Sequence, residues 1–106
     1  MLERRESLRK CVEMEVTCQS IEEPWVKHVG RSFDISQGGI GLVVKKHFGG
    51  YKRLRVSITN PFHGEPIVAR GRVVWETGIP DEDEKKLGVE FSDISRARIG
   101  QLINAF

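Results

Sequence analysis

Three arginines stand within six residues near the start of the chain, Arg4, Arg5 and Arg9; further on, Asp34, Ser36, Gly38 and Gly39 crowd into another six. A guanidinium is a planar fork of donors that suits phosphate oxygens and the O6/N7 edge of guanine. A carboxylate accepts from the N1–H and N2–H of that same base, and a hydroxyl donates to a phosphate oxygen. Glycine lets a ligand come close to the backbone. These residue types suit recognition of a small anionic ligand better than bond-making. No histidine is placed by either cluster, and His28, His47 and His63 make no metal-ligand spacing with Cys11 or Cys18. The expectation is therefore no catalytic residue, no metal and no cofactor.

Charge distribution points the same way. Arg4, Arg5, Arg9 and Lys10 against Glu3 and Glu6 account for the whole net charge of +2, so the rest of the chain is neutral. A nucleic-acid binder usually spreads basic charge over a face. Here it is concentrated at a tip, which suits a small, doubly charged ligand. With 39% hydrophobic and 30% charged residues in 106, the chain reads as one ordinary globular domain. Gly39 to Val44 is the longest nearly apolar run, far short of a membrane span. Met1 is followed by charge rather than an apolar stretch, so the expected location is cytoplasmic. On one strand Cys11 and Cys18 would lie roughly 23 Å apart and face opposite ways, so two reduced thiols are expected.

Positioning falls to a series of short strands. Val12, Met14, Val16 and Cys18 alternate with polar residues until Glu22-Glu23-Pro24 breaks the pattern. A second strand is expected from Trp25 to Ile35, bent at Gly30. Phe33 and Ile35 would point inward, turning Asp34 and Ser36 outward onto one face. Gln37-Gly38-Gly39 connects to a strand from Ile40 to Val44, and Lys45 to Gly50 forms a loop. Leu54, Val56 and Ile58 mark another strand, and Asn60 to Gly64 a turn. Ile67, Ala69, Val73 and Trp75 share inward parity, with Arg70 and Arg72 as exposed charges that blunt a sheet edge. Asp81 to Lys86 reads as a solvated hairpin tip before a last strand at Leu87, Val89 and Phe91. Ile99, Leu102, Ile103 and Phe106 then follow a helical period, with Ser92 or Ser95 as the cap. The fold expected is mainly β: a small six-stranded antiparallel β-barrel with a C-terminal α-helix and a flexible N-terminal arm. The arm covers residues 1–10, the barrel 11–91 and the helix 92–106.

Arg5-x-x-x-Arg9 followed by Asp34-x-Ser36-x-x-Gly39 resembles the paired signature of the PilZ family, bacterial receptors for cyclic di-GMP. Gly71-Arg72-Val73-Val74-Trp75 is similar to the family's penultimate strand, and Leu87-Gly88-Val89-Glu90-Phe91 to its closing strand. The resemblance covers almost the whole chain. It implies that Arg5 and Arg9 clamp a phosphate and a guanine edge, and that Asp34 accepts from a guanine Watson–Crick edge. Ser36 would donate to a phosphate oxygen, and Gly39 would keep space clear beside the sugar-phosphate ring. Arg4, a third arginine directly before the pair, implies capture of a stacked ligand dimer. The implied protein orders its arm on binding cyclic di-GMP and relays the signal to an unidentified effector protein. Two other readings stand beside it. One is a PilZ-like interaction module without nucleotide. The other is a small barrel for single-stranded nucleic acid, against which the neutral body and the core parity of most aromatics argue.

Overall fold

The computed structural model describes residues 10–60, 64–93 and 96–104. Six strands follow in chain order: β1 Glu15–Ser20, β2 Lys27–Ile35, β3 Gly39–Lys45, β4 Arg53–Ile58, β5 Ile67–Gly78 and β6 Glu84–Asp93. A helix, α1 (Arg96–Asn104), comes last. The strands close into an antiparallel barrel in the order β1-β2-β3-β6-β5-β4, with β1 bonded back to β4.

Period two explains the lining. Val16 and Cys18 of β1, Leu54, Val56 and Ile58 of β4, and Ile67 and Ala69 of β5 are buried, while the residues between them face outward. β3 is buried almost throughout, which is why it reads as a continuous apolar run. Ile99, Leu102 and Ile103 of α1 join the same core. Gly100 packs beside Gln37, so the helix covers the end of the barrel that holds the β2–β3 turn. With no acidic residue in its first turn and no basic one in its last, α1 gains nothing from its dipole. Tertiary packing must hold it, at about 1.5–3 kcal/mol for each fully buried Leu or Ile. The opposite end is filled by Phe48, against which His28 stacks with ring centroids 5.2 Å apart.

Several expectations change at irregular points in the ladder. The β2–β3 register shifts between Ser32 and Asp34, not at Gly30. The extra residue resets the alternation, so Ser32 is buried while Phe33 is only half-buried. Phe33 therefore does not point inward: its ring lies under the exposed Lys86, whose Nζ is 5.0 Å from the ring centroid. A second shift between Val73 and Trp75 turns the indole out of the core, leaving it 45% exposed. Arg70 and Arg72 are exposed as expected, but β5 is bonded on both sides and has no edge to blunt. Glu84 to Lys86 belong to β6, so the hairpin tip is shorter than expected; Asp81 turns it with φ 62°. Ser92 sits in β6, its hydroxyl donating to the Arg70 carbonyl at 3.3 Å, and caps no helix. Ser95 and Phe106 lie outside the described residues. Both cysteines are free, Cys11 exposed and Cys18 buried. Burial pushes the Cys18 thiol up to about 12, which leaves it unreactive at neutral pH.

Candidate functional site

The Asp34 to Gly39 stretch is the β2–β3 turn. Inside it, the Ser36 N–H donates to the Gly39 carbonyl at 2.9 Å, and the Gly38 N–H donates to Ser36 Oγ at 3.3 Å. The turn is tied to β6 by the Phe91 N–H, which donates to the Gly38 carbonyl at 2.9 Å. Ser36 is buried rather than outward-facing, because its hydroxyl oxygen closes the turn. Its own proton keeps the capacity to donate. Gly39 has a packing reason to be glycine, since a Cβ there would run into the carbonyl of Val89.

Asp34 follows the β2 irregularity, and its side chain and that of Phe33 both stand over Gly41 of β3. A Cβ at Gly41 would collide with the Phe33 ring and with Asp34 Oδ1. Gly41 is the register partner of Gly88 on β6, and Trp75 covers Gly88 in the same way. Phe33 and Trp75 thus lie side by side over two adjacent buried glycines and form an aromatic ledge on the barrel's outer face, their ring centroids 6.3 Å apart at 46°. Half-exposed rings of this kind are stacking surfaces for a base. Sequence reasoning missed this ledge. Its only trace there is the pair of glycines inside two strand patterns, where a glycine signals a close approach.

Residue 10 brings the two motifs together. The Lys10 N–H donates to the Ile35 carbonyl and the Ile35 N–H donates to the Lys10 carbonyl, both at 2.9 Å. Four residues on, the Met14 N–H donates to Ser32 Oγ at 2.9 Å and that hydroxyl donates to the Val12 carbonyl. The segment that follows the arginines is therefore bound along β2, with Lys10 opposite the residue between Asp34 and Ser36. Arg4, Arg5 and Arg9 themselves lie outside the described residues.

At the other end, His28 and His47 meet edge-on with ring centroids 5.6 Å apart. Among the described residues no three His, Cys, Asp or Glu side chains group as a metal site, and no helix is long and apolar enough to cross a membrane.

A family model described as PilZ domain matches residues 3–106. Among curated proteins, none matches the chain. Among solved structures, the Bacillus subtilis inhibitor of motility MotI/DgrA superposes with a TM-score of 0.79 at 23% identity. That alignment covers 98% of this chain and 49% of that one, so the chain spans about half the length of this relative. The PilZ domain of YcgR from Escherichia coli, solved with c-di-GMP, gives 0.68 at 15% identity, covering 95% of this chain and 87% of that one. The PilZ domain of CeSA from a cellulose-synthesizing bacterium gives 0.64 at 15%, covering 93% and 94%.

Proposed function

The chain belongs to the PilZ domain family, and from that premise we propose that it is a receptor for cyclic di-GMP. Residues 1–106 act as one unit in this reading, a binding adaptor rather than an enzyme. Arg5 and Arg9 clamp a phosphate and a guanine edge. Asp34 accepts from a guanine Watson–Crick edge, Ser36 donates to a phosphate oxygen, and Phe33 or Trp75 offers a ring to a base. Arg4 offsets the charge of a second, stacked ligand. Ordering of the arm over the ledge then presents a changed surface to an effector protein. A reducing, cytoplasmic setting suits two free thiols.

The observation that carries this reading is the paired hydrogen bonding of Lys10 with Ile35. It makes the residue after Arg9 a neighbour of Asp34 and Ser36, as a shared ligand requires. The YcgR neighbour, with c-di-GMP in its solved structure, lends the ligand identity.

Calorimetric titration with cyclic di-GMP tests it. Arg5→Ala, Arg9→Ala and Asp34→Ala should each lose about 1.5–3 kcal/mol of binding, the range for hydrogen bonds to charged groups. Thermal unfolding should move little, since Asp34 is no part of the core. Arg4→Leu should shift the stoichiometry from two ligands toward one. Wild-type affinity in all three alanine variants would refute the assignment.

A further inference from the structure

The outer face of β4 and β5 carries four arginines in a grid. Arg53 is the register partner of Arg72, and Arg55 that of Arg70. All four are exposed, while Leu54, Val56, Ala69 and Gly71 between them are buried. Directly opposite residues have Cβ atoms about 5 Å apart, and successive same-face residues on a strand repeat every ~6.8 Å. Four guanidinium groups are thus anchored on a rectangle of about 5 by 7 Å. Like charges directly across a ladder destabilise it. Charges that protect an open edge have a reason to stay, but β4 is bonded to β1 and β5, and β5 to β4 and β6.

Carboxylates meet the first row at both of its ends. Glu22 lies 3.7 Å from Arg53 Nε, and Glu90 lies 2.9 Å from Arg72 at the other end of the same row. In the second row, Arg55 faces Gln19 across β1, and Asp93 is the register partner of Arg70. Arg55 makes no ion pair among the described residues.

We infer that this face is a docking surface for an acidic, extended segment of a partner protein, laid along β4 and β5. Same-side carboxylates of an extended chain repeat at the ~6.8 Å step of the arginine rows. The guanidinium fork meets a carboxylate with two parallel hydrogen bonds, which a lysine cannot do. Val68, 41% exposed and paired with Ser57, gives a small apolar contact in the next row along the strands. Single-stranded nucleic acid fits less well, because bases need aromatic platforms. The outward residues around Arg55 and Arg70 are Thr17, Gln19, Ser57 and Val68. The arginine grid shares no residue with the proposed nucleotide site, whose Trp75 lies three residues beyond Arg72 on the same strand.

The probe is a fluorescent synthetic peptide of alternating threonine and glutamate, read by anisotropy on the whole chain with and without cyclic di-GMP. Its lysine counterpart and a short single-stranded DNA are the controls. The glutamate peptide should bind, and Arg55→Gln should weaken it by about ten-fold or more. Arg55→Lys should retain part of the affinity. Cyclic di-GMP titrations should be the same in wild type and both variants, so failure here and failure of the nucleotide reading are told apart. Arg55→Gln should also melt no lower than wild type, because a like-charge neighbour is removed. Equal binding of the two peptides, or of the glutamate peptide to wild type and Arg55→Gln, would overturn the proposal. So would a clear fall in melting temperature, which would make the arginines structural. Preferential binding of the DNA would give the surface to nucleic acid instead.

Discussion

Gly41 has no side chain, and two neighbours occupy the room it leaves. Phe33 and Asp34 both lie over it, so the position of the proposed guanine acceptor depends on an atom that is absent. Gly41→Ala should force both side chains aside. The expected result is a loss of about 1–3 kcal/mol of stability from overpacking and a cyclic di-GMP affinity reduced by about ten-fold or more, as one charged hydrogen bond is misplaced. Paired calorimetry and urea melts would measure it; unchanged affinity would mean that Asp34 is not a ligand contact. At this scale the sequence is legible where chemistry is local. The turn built by Ser36 and Gly39 follows from residue types within one short segment. Phe33 and Trp75 were misread because parity is counted along a strand, and one inserted residue reverses every side chain beyond it. Where a bulge falls is decided by pairing with the neighbouring strand, which the alternation within one strand does not show.

Among the elements, β2 and β3 part company toward the end filled by Phe48. Their register runs from Ile35↔Ile40 to Arg31↔Val43 and goes no further. Beyond it, the His28 imidazole takes over from backbone: the Lys45 N–H donates to its Nε2 at 3.2 Å. Only a neutral ring can accept that bond. Burial first, then the nearby His47 and Lys45, holds the His28 pKa below its usual value of 6.5. The sign follows from proton uptake. Below about pH 6.5 the unfolded chain binds a proton that the folded chain resists, so stability present at neutral pH declines as the solution is acidified. Urea unfolding at pH 7.5 and 5.5 should show the midpoint falling, and His28→Asn should flatten that dependence. An identical slope in both proteins would remove His28 as its source. Strand existence was legible throughout, because alternation survives in β1, β4 and β5. The parting of β2 from β3 was not, since nothing local to His28 shows that its ring replaces a peptide group.

Seen whole, the molecule is a barrel with its ends closed by different means, a helix over one and an aromatic plug in the other. The helix has poor local credentials, with Gly100 in its middle and no charge complement at its termini. Its worth lies in Ile99, Leu102 and Ile103, which complete the core beside the β2–β3 turn. Ile99→Ala should cost about 2–5 kcal/mol, measurable by chemical denaturation. A loss under about 1 kcal/mol, the scale of an ordinary exposed change, would mean that the barrel holds together without this lid. Closure into a barrel was expected from six short strand patterns, and the structure has it. What the alternation within strands did not name is the ladder that closes it, the β1–β4 pairing that removes the last two edges. Arg70 and Arg72 lose their expected edge-guarding role for a different reason, the β4 and β6 ladders on either side of β5.

The hydrogen-bonded pair at Lys10 and Ile35 has a further effect, on concentration. A chain fixed at residue 10 keeps Arg5, five residues earlier, within about 17 Å of that anchor. The arginines therefore meet a ligand on the ledge as an intramolecular event, at an effective concentration in the millimolar range for a short tether. This quantity depends on tether length only weakly. Inserting Gly-Ser-Gly-Ser between Arg9 and Lys10 should lower cyclic di-GMP affinity by only about two- to ten-fold, well short of the loss expected on removing either arginine. A collapse of binding as complete as that of Arg9→Ala would show that the clamp needs a fixed register with the barrel, and that proximity alone is insufficient.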